Sequence, residues 1–547
     1  MLRRPPATST GTGDDGPASQ PSPAQLLQEA LNSVSKGTTI LLVSTGALLA
    51  LGFVGRVAAA RALPVAAFGE FNIGVSFTSL LSIVIVLGLN QALARMLAWE
   101  HDAGERRTLI RWSIAVASVS SIVGSVAVFL FAAPIASLFS NPALVGVFQL
   151  LAISVGFGAI TPIFAAIFQG FQDVVPNAIF NQIVNPALFV VFVLVFLHLH
   201  WGLTGVNLAY VIADAVAFVG IVLYTARHLP KIVPPNARGP PRPKAMLWAL
   251  TVSMWGASSL AFVTGYADTI ILGVYRPALL VGYYSTSMTL TRVLLLAAQS
   301  LTFIYLPVTA RLARANAHDA LRSTYITTTR WILVLTFPLF LTFVFAPNLT
   351  IGAIFGPRYA AGAVSLQYLA IAAFLSNVVG PVNAALGGLG LSWTQLWTSS
   401  ASAVTNLVLS FTLIPTFGLL GASAAWGVAR VMYPGLGLAA LNRAHGITPF
   451  RRVLLLPVAL TLAIGIPIFV VVQRLAPPHW TVVPLFFFGS GLYVFAVMVT
   501  KCVLPGDLAT VVAAERVLRT PLPRVRRLLE RCVAVDPFVD NRAIGTP

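Results

Sequence analysis

Cysteine is almost missing from this 547-residue chain; only Cys502 and Cys532 occur, both near the C-terminus. Both fall on the side expected to face the cytoplasm, so no disulfide framework is expected. Charge is scarce as well. Only 9% of residues are charged, and 16 acids stand against 34 Lys and Arg. Of the acids, only Glu70, Asp214 and Asp268 lie within or at the edge of apolar runs. Paired carboxylates for sugar transfer therefore have almost nowhere to sit, and the outer loops are short. There is no Gly-rich phosphate loop with its Lys, no metal-spaced His/Cys set and no nucleophile elbow. His198 and His200 flank an interface beside Trp201, where a polar belt is the simpler reading than a ligand pair. No catalytic residue, metal or cofactor is expected. A cleavable signal peptide is not expected either, because a long polar stretch precedes a first apolar run too long for one.

What the chain has is apolar length. Hydrophobic residues make up 57% of it, far outside the soluble range. Fourteen runs are long enough to span a bilayer, which takes about 20 residues: 38–60, 71–95, 112–139, 144–168, 175–197, 203–226, 246–275, 280–306, 331–356, 361–388, 394–415, 418–441, 453–473 and 481–503. A net charge of +18 would suggest nucleic acid in a soluble protein, but here it follows the positive-inside pattern instead. With the N-terminus inside, the inner segments hold Arg106, Arg107, Arg111, Lys231, Arg311, Arg314, Arg443 and many more. The outer ones hold only Arg61, Arg276, Arg358 and Arg474. The expectation is a multi-pass protein of the cell membrane with both termini cytoplasmic and no nucleic-acid partner.

The chain also repeats itself. Pro162, Ala165, Ala166, Gly170, Asn185, Gly202, Gly205 and Ala209 are echoed by Pro381, Ala384, Ala385, Gly388, Asn406, Gly418, Gly421 and Ala425. Further upstream, Pro64 and Gly69 match Pro277 and Gly282. In a membrane chain an internal repeat points to a transporter with its site between the halves. The expected division is a disordered N-terminus (1–35, with a short amphipathic piece at Ala24–Leu31), a first lobe (36–226) and a basic linker (227–244). A second lobe (245–442), an extra helix pair (443–503) and a basic tail (504–547) follow. Six spans per lobe is an even number, so the repeats are parallel, related by an axis along the membrane normal. The expected fold is thus all-α and polytopic: about fourteen spans, two six-helix repeats around a central cavity, and two extra helices.

Charges inside spans carry the functional information, since each costs about 2.5–3.5 kcal/mol at a span centre. Arg56, Asp214, Asp268, Arg292 and Arg430 are the candidates. Asp214 and Arg430 occupy equivalent repeat positions, and Arg56 maps to Thr269, beside Asp268. Contacts between the lobes and satisfaction within each lobe are both open readings. Pro338 and the Gly387–Gly390 stretch add kink-prone and close-packing positions.

One segment is specific enough to suggest a relationship. Ala267-Asp268-Thr269-Ile270-Ile271-Leu272-Gly273, then Val281-Gly282-Tyr283-Tyr284-Ser285, with Pro307 closing the span, resembles the oligosaccharide flippases. These form the polysaccharide-transporter branch of the multidrug/oligosaccharidyl-lipid/polysaccharide exporter superfamily. The resemblance covers roughly residues 36–503. It implies two lobes that rock about a cavity to move a polyprenyl-phosphate-linked sugar from the inner to the outer leaflet. It also implies cationic cavity residues for the lipid phosphates, a role that Arg56 and Arg292 could match, with Asp268 as the partner that holds one of them when substrate is absent. Expected partners are the lipid-linked oligosaccharide and membrane lipids, with membrane enzymes of glycan assembly as further candidates. Two alternatives stand beside this reading: an ion-coupled antiporter of the same fold, and an integral-membrane sugar transferase. Arg56, in a first span without an acid, would repel a cationic drug and favours the flippase.

Overall fold

The computed structural model describes residues 23–500, apart from 87, 235–239, 241–244, 316, 451 and 476–477. Both cysteines, the expected basic tail and half of the Pro-rich linker lie outside the described residues. Among the described residues every regular element is helical. The first half comprises α1 (Pro23–Ala62), α2 (Val65–Val86), α3 (Leu89–Trp99), α4 (Ala103–Leu130), α5 (Ala132–Leu138), α6 (Leu144–Gly170), α7 (Asn185–His198) and α8 (Gly202–Ile232). The second comprises α9 (Ala245–Tyr275), α10 (Ala278–Arg314), α11 (His318–Phe345), α12 (Pro347–Ile354), α13 (Ala363–Val378), α14 (Val382–Gly388), α15 (Ser392–Phe417) and α16 (Leu419–His445). The pair α17 (Arg452–Arg474) and α18 (Val482–Val499) completes the chain.

Eleven helical stretches among the described residues are long and apolar enough to cross a membrane. The other three expected spans coincide with the helices α9, α16 and α17. The protein is a multi-pass, all-helical membrane protein. Helix α4 shows the solvent it is built for. Its Val119, Ile122, Val126 and Phe129 are exposed while its Ser113 and Ser121 are buried, the reverse of a water-soluble helix.

Several expected spans are interrupted, each for a local reason. The expected run 71–95 is divided because Gly88 adopts a left-handed conformation at φ 73°, ending α2 and starting α3 at a new angle. Run 331–356 breaks between Phe345 and Pro347, where the proline lacks the N–H that would continue the helix. Run 175–197 starts as a π-helical segment, Asn177–Val184, just ahead of Pro186, whose missing N–H favours a widened turn. At the N-terminus, α1 begins at Pro23, so the helix reaches well into the stretch 1–35 expected to be disordered. Ala, Leu, Gln and Glu, all good helix formers, fill Ala24–Ala30 and extend the membrane helix outward.

The halves meet backbone to backbone. A methyl group on Gly69 of α2 would lie 1.8 Å from the carbonyl oxygen of Ala278, and one on Gly282 of α10 would lie 2.3 Å from that of Val65. Gly69 and Gly282 are repeat equivalents, as are Val65 and Ala278. The contact is therefore reciprocal, as expected where two like elements cross at a pseudo-twofold axis. Only glycine lets the two helices approach this closely. Further along, α2 also packs on α9, and so does α3.

Candidate functional site

Two arginines from opposite halves lie within electrostatic reach of each other on membrane-spanning helices. Arg56 sits on α1 and is half-buried, and its Nη1 donates to Oδ1 of Asn72 on α2 at 3.3 Å. Asn72 is itself fixed, because its Nδ2 donates to the Phe68 carbonyl at 2.7 Å, leaving its oxygen for the guanidinium. Arg292 on α10 is exposed, and no described side chain or carbonyl holds it. It lies within electrostatic reach of Arg56, as do Tyr210 of α8 and Tyr266 of α9. Tyr210 is in turn packed edge-on against Phe71 and Phe189. Five helices of both halves thus contribute to the surroundings of this pair, and among the described residues the groups acting on Arg56 are a second guanidinium, two phenols and an amide, with Asp214 one step further off beside Tyr210.

The acids are occupied elsewhere. Asp268, 3% exposed, accepts from Ser410 Oγ at 2.8 Å, Asn406 Nδ2 at 3.1 Å and Tyr284 Oη at 3.4 Å. These three donors come from α10 and α15, and the expected pairing of Asp268 with Arg56 or Arg292 is not formed. Tyr284 is the link that remains, since it feels both Asp268 and Arg292. Asp214 on α8 accepts from Nδ2 of Asn185 on α7 at 2.7 Å. Its repeat equivalent, Arg430 on α16, lies in a cavity lined by second-half residues alone. The two are not joined. Contact between the halves through this pair, one of the two readings left open by the sequence, is not made: Asp214 is met within its own half, and Arg430 Nε has no hydrogen-bond partner. Asn185 and Asn406, equivalent in the repeat, each donate to a carboxylate of their own half.

A second set of residues sits at the end of the bundle where α1 turns into α2. Arg61 Nε donates to the Ile354 carbonyl at 2.7 Å and its Nη2 to that of Ala353, both in the last turn of α12. Arg358 reciprocates, donating to the carbonyls of Ala60 (3.1 Å) and Arg61, in the last turn of α1. Tyr359 Oη adds a bond to Ala60 O at 2.8 Å, and its ring packs edge-on against Phe68. Helix C-termini carry unsatisfied carbonyls and partial negative charge, so a guanidinium suits each of them. The sequence counted Arg61 and Arg358 only as outer-loop charge. Their positions, Arg61 in the last turn of α1 and Arg358 just past the end of α12, were the available signal. Asn72 was also missed, and an Asn in the middle of an apolar span was its signal.

With this geometry in view, relatives can be compared. Residues 34–313, just over half of the chain, match the family described as polysaccharide biosynthesis protein. The chain belongs to that family. That description agrees with the polysaccharide branch that the sequence resembles. An uncharacterized membrane protein of Methanocaldococcus jannaschii is 24% identical over 415 residues, 71% of this chain and 80% of that protein. A probable low-salt glycan biosynthesis flippase of Haloferax volcanii is 24% identical over 160 residues, 29% of this chain and 34% of that one. Among solved structures, a lipid II flippase in an inward closed conformation superposes with a TM-score of 0.68 at 13% identity, covering 84% of this chain and 99% of that one. That likeness is one of fold.

Proposed function

We propose that this family member moves a polyprenyl-(pyro)phosphate-linked oligosaccharide from the inner to the outer leaflet, for assembly of a surface glycan. The observation that carries the reading is the meeting of Arg56 and Arg292. Two guanidiniums from opposite halves, one of them held by nothing described, repel each other until an anion arrives. A phosphate crossing a low-dielectric slab needs compensation, and a guanidinium forks onto its oxygens while staying charged. The names of the Haloferax relative and of the lipid II flippase support a lipid-linked substrate of this class.

On this reading residues 36–226 and 245–442 act as lobes that rock against each other, and 443–503 is an appended pair. The charge pattern supports cytoplasmic termini, which puts the Gly69–Gly282 crossing and the Arg61–Arg358 clamp at the outer face. Both contacts would hold that face shut and would have to part for release. Substrate joining Arg56 to Arg292 changes which contacts the two states can make, and any ligand-driven change needs such a difference.

The test is delivery of surface glycan at matched expression. Arg292→Ala is expected to lower delivery at least tenfold, about the loss of one charge-assisted contact, and Arg292→Lys to restore part of it. Accumulation of the lipid-linked sugar at the cytoplasmic face should accompany the loss. Full delivery in both Arg56→Ala and Arg292→Ala would refute the anionic substrate. Failure to synthesise the sugar, rather than to expose it, would point to a transferase.

A further inference from the structure

Arg430 poses a problem that the reading above leaves unsolved. It sits within α16, and no Asp or Glu occurs between Asp319 and Asp507. The one acid buried in the second half, Asp268, is taken by three donors on other elements. Arg430 is half-buried, and its Nε is buried without a hydrogen-bond partner. A guanidinium left uncompensated inside a bundle is among the most expensive arrangements a protein can hold.

The space around it is not empty of other donors. Arg430 lines a cavity of about 150 Å³ together with Gln299, Ser376, Asn377, Asn383 and Tyr433. Asn377 is only 4% exposed, and its Nδ2 also lacks a partner. Asn383 leaves its Oδ1 unused. The cavity exists because the helix is broken there. α13 stops at Val378, Gly380 turns at φ 90°, and Pro381 prevents the hydrogen bond that would rejoin the two pieces. No carboxylate lines the wall.

Water alone would satisfy amides but would leave the charge unneutralised. A cavity of this size takes a halide with a few waters or one small oxyanion. We propose that the cavity lined by α10, α11, the α13–α14 break and α16 is a binding site for a small inorganic anion, held by Arg430 and the Asn377 amide, with water bridging to Asn383. It is separate from the place where Arg56 and Arg292 meet and does not depend on the substrate proposed above. Gln299 lies two turns along α10 from Arg292, about 10 Å at the helical rise. An anion here therefore adds negative charge on the same helix as the exposed cation.

The test reads binding, not transport. The purified full-length chain in detergent is titrated with chloride at fixed ionic strength against gluconate, with radiolabelled chloride in equilibrium dialysis and the thermal unfolding midpoint as readouts. One saturable chloride per chain and a matching rise in midpoint are expected. Phosphate is the second arm: competition or saturation by phosphate in place of chloride identifies the occupant as an oxyanion of the same site. Arg430→Gln should weaken binding at least tenfold. Because that variant could fold poorly, Asn377→Leu, close in volume, is measured beside it and should weaken binding severalfold. Arg292→Gln should leave it in place. No saturable anion in the native chain would overturn the proposal. So would binding unchanged in both Arg430→Gln and Asn377→Leu, or binding lost only in Arg292→Gln.

Discussion

The two halves of this protein share a sequence plan and solve it differently. In the first half, Pro162 lies inside α6, which runs unbroken from Leu144 to Gly170. In the second, the matching Pro381 follows Gly380, and the helix is divided into α13 and α14. The residue before a proline is pushed away from helical conformation. Thr161 in that place stays helical within a continuous helix, whereas Gly380 turns to φ 90° and the chain breaks. The charges diverge at the same depth in the repeat. Asp214 has its own amide, Asn185, while Arg430 has a cavity. At this place in the repeat the first half keeps a continuous helix, and the second carries a polar hollow beside a helix break. A repeat therefore fixes where elements lie without fixing what they hold.

The comparison can be broken most severely where the halves are still alike. Gly69→Ala and Gly282→Ala each place a methyl against a backbone carbonyl of the other half, at 1.8 and 2.3 Å. Backbone cannot swing aside as a side chain can, so both should force α2 and α10 apart. Glycan delivery should fall tenfold or more in each. A cysteine replacing Tyr359, in a chain with Cys502 and Cys532 changed to Ser, should become reactive to an impermeant maleimide. Unequal effects of the two substitutions would mean that the crossing is not shared evenly.

Next in size is a contrast between the two carboxylates. Asp268→Ala strands three donors, and at about 1–3 kcal/mol for each buried group left unsatisfied it should cost about 3 kcal/mol or more. Asp214→Ala strands Asn185, with Ser154 as a weaker partner, and should cost about 1–2 kcal/mol on the same scale. Chemical unfolding in detergent compares them directly, and equal losses would show that Asp214 has further partners. Gly380→Ala should cost about 2–3 kcal/mol, from a left-handed backbone and an added methyl too close to a neighbour. That methyl would stand 2.2 Å from Thr329 Oγ1. Thr161→Ala at the equivalent position should stay within about 1 kcal/mol, as ordinary substitutions do. The smallest expected effect is an absence of rescue. Asp214→Arg combined with Arg430→Asp should recover nothing beyond the single changes, because Asp214 is held by Asn185 in its own half while Arg430 faces a cavity lined by the other half alone. Recovery would show that another state of the protein joins them.

Sequence alone determined the class, because a scarcity of charge and a surplus of apolar length admit only a bilayer-spanning bundle. It also located the repeat, since equivalent Gly, Pro and Asn positions are visible without coordinates, and it named Arg56 and Arg292 because a charge in an apolar run is costly wherever it points. Asp268 shows where that reasoning stops. Being one residue from the repeat position of Arg56 suggested a partner for a cation, yet its oxygens are taken by Asn406, Ser410 and Tyr284, which are distant in sequence. Which donor reaches a buried acid depends on how helices rotate and cross, and those angles are set by many packing contacts at once. The clamp of Arg61 and Arg358 on opposing helix ends was hidden for the same reason, as were the Gly69–Gly282 crossing and the unanswered Arg430. Hydropathy specifies that a segment is buried. Only the assembled tertiary structure decides what it is buried against.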